Sequence, residues 1–320
     1  MRSVFAIFFS GLLFHGLYAQ SSVLDYNKSI EIDELSASAS VGTMGLSLEA
    51  SLQVNDWVNV RAGVSFMPKL STSMAFGVQV GEEDEKKYDE NGNRVETKFD
   101  KMSAYLKDIT GYEIDDRVDM DCKVSFVNAK FFLDFLPFTN KDWHLTAGFF
   151  WGSKQIGRAC NSIEDMTTTL GVGIYNTMYD KIENYEPIFG SISLPPEAQD
   201  KIYEAGRMGM HVGDFKSDGK PYMMVPDKDG TVRAKAKVNS FKPYLGFGWN
   251  HTMKAAPEWK YGFDAGLVFW GGVPNVTTHD GTSLTHDVRN LDGRVADVIS
   301  FAKGLPVYPL LELKISRKIF

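Results

Sequence analysis

The sequence has few cysteines, no excess of positive charge and no long apolar run beyond its first residues. Cys122 and Cys160 are the two cysteines in 320 residues, and neither lies just after the N-terminal apolar segment, which disfavours a lipid-anchored lipoprotein. A net charge of -7 with no basic stripe argues against a nucleic-acid partner. A mean hydropathy of -0.20, with no later run of roughly 20 apolar residues, excludes a helical membrane protein.

The first residues have the pattern of a secretory signal. Arg2 supplies a positive charge, residues 4–17 are apolar, and Ala19 is a small residue at the end of the segment. We therefore expect a signal peptide at 1–19 and a mature domain at 20–320. An N-terminal membrane anchor is the disfavoured alternative, because the apolar run is shorter than the roughly 20 residues of a spanning helix.

Alternating side chains are the strongest signal in the remaining sequence. In 242–249 and 261–269, aromatic or aliphatic residues alternate with glycine or a charged residue. Runs of roughly 9–11 residues cross a bilayer as tilted β-strands. An aromatic content of 13% together with 29 glycines is typical of a membrane β-barrel. A soluble β-sandwich is the alternative fold.

The alternation predicts about eight strands. They cover 35–41, 44–54, 57–66, 118–136, 143–152, 231–249, 259–271 and 307–320. Tight turns alternate with long loops at about 68–117, 153–230 and 272–306, as in a barrel with short turns at one end. The predicted fold is all-β: a single antiparallel up-and-down transmembrane β-barrel whose long loops contain short helices near 99–110, 195–205 and 294–302. Within 118–136 the apolar residues change parity near Phe126 and Val127, which predicts a β-bulge there.

Several strand sequences resemble a known group of proteins. The resemblance is carried by FFLDFLPF at 131–138, LTAGFF at 145–150, PYLGFGW at 243–249 and FDAGLVF at 263–269. They are similar to small bacterial outer-membrane β-barrel proteins of the OmpA-like and OmpW-like superfamily, most of which have no assigned activity. Residues 308–320 are similar to the C-terminal strand of such proteins, which ends on an aromatic residue, here Phe320. The resemblance implies the fold, the outer membrane of a Gram-negative bacterium, and recognition of the last strand by the barrel-assembly machinery.

Charged residues on the predicted inner faces of the strands are the main candidate site. They are four acids and four bases: Glu49, Asp134, Asp264 and Glu312, with Arg61, Lys130, Lys260 and Lys314. A lumen of about eight strands is just wide enough for side chains to fill, so we interpret these residues as a paired polar core. An ion or solute path is the alternative. Phe132, Phe150 and Trp270 are expected to plug the bore.

Tryptophans and cysteines suggest further structural roles. Five tryptophans near strand ends are expected to form aromatic girdles at the membrane interfaces: Trp57, Trp143, Trp151, Trp249 and Trp259. Cys122 and Cys160 are close enough in the predicted register for a disulfide, with two free thiols as the alternative. The His-Asp pairs at 279–280 and 286–287 are interpreted as polar loop rather than a metal site. We predict no catalytic, cofactor-binding or metal-binding residues.

The unexplained part of the chain lies in the long loops. Loops on a rigid scaffold commonly carry the residues that bind ligands. The leading hypothesis is therefore an integral outer-membrane barrel, with outer-membrane lipids as partners and a structural or surface-binding role for an unidentified protein or glycan ligand. A narrow passive channel or exporter for small solutes is the first alternative. A lipid-modifying enzyme is the second.

Overall fold

The computed structural model describes residues 34–83, 85–138, 142–188, 190, 193–291 and 293–319, so the predicted signal peptide and Phe320 lie outside it. This part of the chain contains 14 strands. They are β1 (Glu34–Gly42), β2 (Gly45–Asn55), β3 (Val58–Val80), β4 (Arg117–Phe135), β5 (Trp143–Gly152), β6 (Gln155–Asn161), β7 (Met208–Phe215), β8 (Pro221–Met224), β9 (Arg233–Lys237), β10 (Phe241–Met253), β11 (Ala256–Val268), β12 (Asn275–Thr278), β13 (Val288–Arg289) and β14 (Tyr308–Lys318). The helices are α1 (Lys98–Thr110), α2 (Met166–Glu183), α3 (Pro196–Ala205) and α4 (Gly293–Lys303).

Eight of these strands close into a ring. Their order is β4-β5-β10-β11-β14-β1-β2-β3, and pairing between β3 and β4 completes the circle. Every pairing in the ring is antiparallel. A closed ring leaves no unpaired strand edge. The predicted all-β antiparallel fold is thus confirmed, and each predicted strand has a counterpart in the ring.

The two ends of the ring differ. Short connections at 56–57, 136–142 and 254–255 join strands at one end, which we call the turn end. Glu34 and Lys318, at the outer limits of β1 and β14, also lie there because they belong to the same end of the paired strands. At the opposite end, only the β1–β2 connection is tight. The other three connections are long.

The long connections are not the loops that the sequence predicted. Together with the far halves of β3 and β4, they form a second layer, the cap, made of the described residues within 68–125, 153–240 and 269–307. Its open sheet has the order β12-β9-β6-β4-β3-β7-β13, with β8 beside β7. The prediction of about eight strands was therefore wrong, since the described chain has 14. The six additional strands are short. β8 pairs with the neighbouring β7, and the other pairings of these strands join segments that are distant in sequence.

Helices cover the cap sheet and complete its core. The predicted helices near 99–110, 195–205 and 294–302 are present as α1, α3 and α4, whereas α2 was not predicted. Thr97 and Asp100 form a reciprocal capping box that starts α1. The core of the cap contains buried side chains from both sheet and helices, including Val78, Leu106, Val118, Met120, Tyr175, Ile202 and Met210. Among the described residues, no helix has the length and apolarity needed to cross a membrane.

The apolar face of β4 changes sides between the ring and the cap. From Val127 to Phe135, odd-numbered residues are apolar and exposed, while the even-numbered Asn128, Lys130 and Asp134 are buried inside the ring. Above this level the pattern reverses, because Val118 and Met120 are buried and the odd-numbered face carries Asp121 and Lys123. Side chains keep one alternation along the whole strand. The outward face of β4 therefore changes from apolar to polar near residue 125.

This inversion corrects the predicted bulge. The apolar residues of β4 change parity because the surroundings of its two faces differ between the ring and the cap. No extra residue is inserted in β4. The register shift lies instead on β3, between Met67 and Leu70, where Pro68 and Lys69 oppose the single residue Ser125. Beyond that bulge, the even-numbered side chains of β3 point into the cap and join its core at Val78 and Val80.

An apolar belt surrounds the ring below this level. Each of the eight ring strands exposes at least one large apolar side chain, and these include Val41 (54%), Leu48 (52%), Phe66 (41%), Val127 (57%), Leu133 (46%), Leu145 (55%), Leu245 (57%), Leu267 (44%) and Leu313 (63%). Exposed apolar patches on water-soluble monomers rarely exceed a few hundred Å². A continuous belt around a closed barrel matches the hydrocarbon-facing surface of a membrane barrel.

Candidate functional site

Arg61 is the centre of a buried charge cluster inside the ring. Its guanidinium nitrogens lie 3.3 Å from Glu49, 2.9 Å from Asp134 and 2.8 Å from Asp264. The Arg61 side chain is 2% exposed, and those of the three acids are 1%, 4% and 0% exposed. A planar guanidinium presents five donors and can serve several carboxylates at once. Arg61 therefore joins β2, β3, β4 and β11 across the lumen.

Two lysines extend this cluster. Lys130 contacts Glu49 and lies 3.0 Å from Glu312, while Lys314 Nζ lies 3.0 Å from Asp264. Glu312 also accepts a hydrogen bond from Ser47 at 3.0 Å. The structure thus brings together seven of the eight residues predicted as a lumen charge network. Each buried carboxylate has a cationic partner, as the cost of burying unpaired charge requires.

Lys260 is the exception. Its Nζ lies 2.6 Å from Glu34 at the turn end, with 31% of the side chain exposed. The cluster contains His144 instead: its Nε2 lies 2.9 Å from Asp264 Oδ1, and the side chain is 2% exposed. The predicted lumen charge network does not include His144, although this residue lies on β5 with the inward parity of Thr146 and Phe150. Parity alone could have identified it.

Three aromatic rings block the lumen above the charges. Phe132, Phe150 and Tyr244 are 1%, 0% and 1% exposed, with ring centroids 4.8 to 6.0 Å apart. The Arg61 guanidinium lies 5.1 Å from the Phe132 ring centroid, so the rings rest directly on the charge cluster. Trp270, predicted to contribute, packs instead against Tyr308 at 4.7 Å near the cap. Tyr244 takes its place in the plug.

A polar vestibule leads from the turn end to the charges. It has a volume of about 310 Å³ and is lined by Asn59, Arg61, Asn250, Lys260 and Lys314, among others. Water can enter this half of the lumen. The aromatic plug lies between the vestibule and the cap.

The tryptophans lie at two levels of the ring. Trp57, Trp143, Trp249 and Trp259 are near the turn end, and Trp143 and Trp249 face each other across β5 and β10. Trp151 lies at the cap end of β5, opposite Phe241, and is 63% exposed. This placement agrees with two interfacial levels of aromatic residues.

An apolar cavity of about 240 Å³ lies in the cap and is open to its surface. It is bounded by the inner face of the cap sheet and by α4. Its lining includes the apolar side chains Met74, Phe76, Met120, Val124, Ala159, Ala234, Val276, Val295, Val298 and Ile299. Cys122 also lines it, and Lys123, Arg158 and Lys235 of the same strands border it. Such a cavity suits a small apolar group.

The two cysteines are free in the structure. The prediction of a possible disulfide is therefore wrong, and the alternative of two free thiols is the one observed. Cys122 lies opposite Ala159, and Cys160 lies opposite Asp121. Residues directly opposite share a face and neighbours along a strand do not, so the two thiols lie on opposite faces of the sheet. Burial raises the pKa of the Cys122 thiol, and the nearby Asp121 adds to this effect.

The His-Asp pair at 279–280 belongs to a turn. Asp280 accepts hydrogen bonds from the hydroxyls of Tyr222 at 2.8 Å and Thr278 at 2.6 Å. Burial acts to raise the pKa of Asp280, but these hydrogen bonds outweigh it, and the pKa is lowered. In the part of the chain that the structure describes, no three His, Cys, Asp or Glu side chains are grouped to hold a metal ion.

Comparisons with known proteins give similarity at the level of whole structures. Neither a protein-family model nor a curated protein matches this sequence. The crystal structure of CarO from Acinetobacter baumannii is similar over 91% of this chain and 99% of its own, with 13% identity and a TM-score of 0.39. CarO2 from the same organism covers 90% and 99% of the two chains, with 14% identity and a TM-score of 0.36.

A third similar structure is a major outer membrane protein from Thermus thermophilus. It covers 89% of this chain and 98% of its own, with 10% identity and a TM-score of 0.29. At these scores the likeness carries no weight, so placement in a membrane depends on the strand faces described above.

Proposed function

We propose that the protein is an integral outer-membrane β-barrel with a closed lumen, whose barrel anchors a folded, ligand-binding cap at the cell surface. The inversion of the apolar face along β4 carries this proposal, because an apolar outward face on the ring favours hydrocarbon around it and a charged outward face on the cap favours water. The sequence resemblance to OmpA-like and OmpW-like barrels supports the same placement. The apolar cavity beside α4 is the proposed ligand site, and the proposal includes no catalytic step.

The cavity can be tested through Cys122, in a Cys160→Ser background. We expect Cys122 to react with neutral N-phenylmaleimide at least about tenfold faster than with a sulfonate-bearing thiol reagent, after both rates are normalised to a free thiol, because an apolar cavity excludes the anion. The measurement is the alkylation rate at one fixed pH by mass spectrometry.

Two variants control this experiment. Ala159→Phe fills the space opposite Cys122 and should slow its reaction with the apolar reagent. Cys122→Ser, which retains Cys160 on the outer face, should react with both reagents. Equal normalised rates for the two reagents at Cys122 would contradict an apolar binding cavity.

The channel alternative makes a different prediction. Because Phe132, Phe150 and Tyr244 fill the lumen, we expect the reconstituted protein to be electrically silent in planar bilayers. A known porin inserted in parallel controls for the bilayer, and flotation with vesicles checks insertion. Steady unit conductance of the native protein would favour the passive channel, with the polar vestibule as its entrance.

A further inference from the structure

The outer surface of the cap sheet carries cations in a row across three strands. Lys123 on β4 lies directly opposite Arg158 on β6, and Arg158 lies opposite Lys235 on β9. One row closer to the ring, Lys237 lies opposite Gln155 and Asn275. We call Lys123, Arg158, Lys235 and Lys237 the basic surface. Lys123 on β4, Arg158 on β6 and the two lysines of β9 are distant from one another in sequence, so the sheet register brings the three strands together.

Acidic residues are missing from these two rows. The remaining positions of the rows within the described residues are Ser71, Thr277, Gln155 and Asn275. The first carboxylate on this face is Asp121, one row farther from the ring, and it pairs with Lys123 at 2.9 Å. Among the ion pairs between described residues, none includes Arg158, Lys235 or Lys237. Three cations on this face therefore remain available.

The basic surface lies immediately beside the apolar belt. On β4, Lys123 and the last belt residue, Val127, lie on the same face, and Ser125 is the one residue between them on that face. Four residues of strand correspond to about 13 Å along the strand and less along the barrel axis because strands tilt. Long basic side chains can also extend their charged ends toward a membrane. The cations thus lie at the level of lipid headgroups.

We propose that the basic surface binds the phosphates of anionic lipids in the membrane leaflet next to the cap. This inference depends on the proposed membrane location of the ring. Apolar and aromatic side chains such as Trp151 and Phe241 would contact the acyl chains, while Arg158, Lys235 and Lys237 would contact the headgroup phosphates above them. A lipid that bridges both levels would be retained on this side of the barrel.

The experiment compares the native protein with a triple variant, Arg158→Gln/Lys235→Gln/Lys237→Gln. Both are placed in nanodiscs of mixed phosphatidylcholine and phosphatidylglycerol, and the lipids that stay bound after exchange into detergent are measured by mass spectrometry. A cation near an anionic surface contributes roughly fivefold to binding. We expect the native protein to be enriched in phosphatidylglycerol, and the triple variant to lose that enrichment.

A matched variant removes the same charge elsewhere. Lys86, Lys201 and Lys228 are exposed lysines of the cap outside the two basic rows, so Lys86→Gln/Lys201→Gln/Lys228→Gln should keep the native lipid preference. No preference in the native protein, or an equal loss in both variants, would overturn the inference. Loss of the enrichment on adding inorganic phosphate, at unchanged ionic strength, would also overturn it, because the site would then be a phosphate site.

Vesicle flotation separates this result from the membrane assignment. If the three proteins float with vesicles but show no phosphatidylglycerol preference, only the lipid site is wrong. If the native protein fails to insert, the proposed membrane location is wrong as well.

Discussion

Replacing Arg61 with methionine should destabilise the barrel by about 3–5 kcal/mol, the usual cost of removing one partner from a buried ion pair. The substitution leaves Glu49, Asp134 and Asp264 in the lumen without their shared cation. Lys314 and His144 still contact Asp264, but Asp134 loses its only ion-pair partner among the described residues. Urea unfolding in detergent, followed by circular dichroism and by heat-modifiable gel mobility, measures the change.

Lys260→Met is the matched control for this prediction. It also removes one inward basic residue, but Lys260 pairs with Glu34 in the solvated vestibule, so the loss should be below about 1 kcal/mol. If Arg61→Met does not fold, Arg61→Lys keeps the charge while losing the planar fork, and we expect intermediate stability. Equal stability of Arg61→Met and Lys260→Met would show that the cluster does not hold the barrel together.

Placing arginine on the belt should be strongly unfavourable at one level of β4 and nearly neutral at another. Leu133 and Ser125 lie on the same outward face of this strand. For Leu133→Arg, inside the belt, we expect a loss that approaches the roughly 2–4 kcal/mol that a cation costs at the bilayer midplane. For Ser125→Arg, at the edge of the belt, we expect about 0–1 kcal/mol.

The measurement is the free energy of unfolding of each variant in lipid vesicles. The two variants share the same strand, the same outward face and the same introduced residue. A difference between their free energies of unfolding therefore reports the difference in depth in the membrane. Equal effects at the two positions would mean that the belt does not face hydrocarbon. Both variants should still give the electrophoretic shift of a folded barrel, which checks that the ring closes.

The ring was predictable because its alternation is local. In each ring strand, apolar residues that point outward alternate with polar or small residues that point into the lumen, as the neighbours Leu133 and Asp134 show. The charge cluster followed from the same parity, and the error at Lys260 arose near a strand end, where an inward side chain already meets water. His144 was missed because its parity was not weighed.

The cap was not predictable in the same way. Strands such as β8, β12 and β13 are very short, and the partners of β12 and β13 are distant in sequence. Their apolar residues face helices as well as neighbouring strands, which weakens the alternation. The spacing of apolar residues located three helices, but it contains no information about the cavity beside α4 or about the row formed by Lys123, Arg158 and Lys235.

The continuity of β3 has a consequence for how this molecule can be divided. Val58–Val80 runs through both layers in one hydrogen-bonded ladder with β4. No flexible linker separates the layers on these strands, so excising the surface portion would sever backbone pairing rather than release an independent module. Grafting a foreign surface onto this scaffold would need to preserve both long strands and join the insert at their far tips.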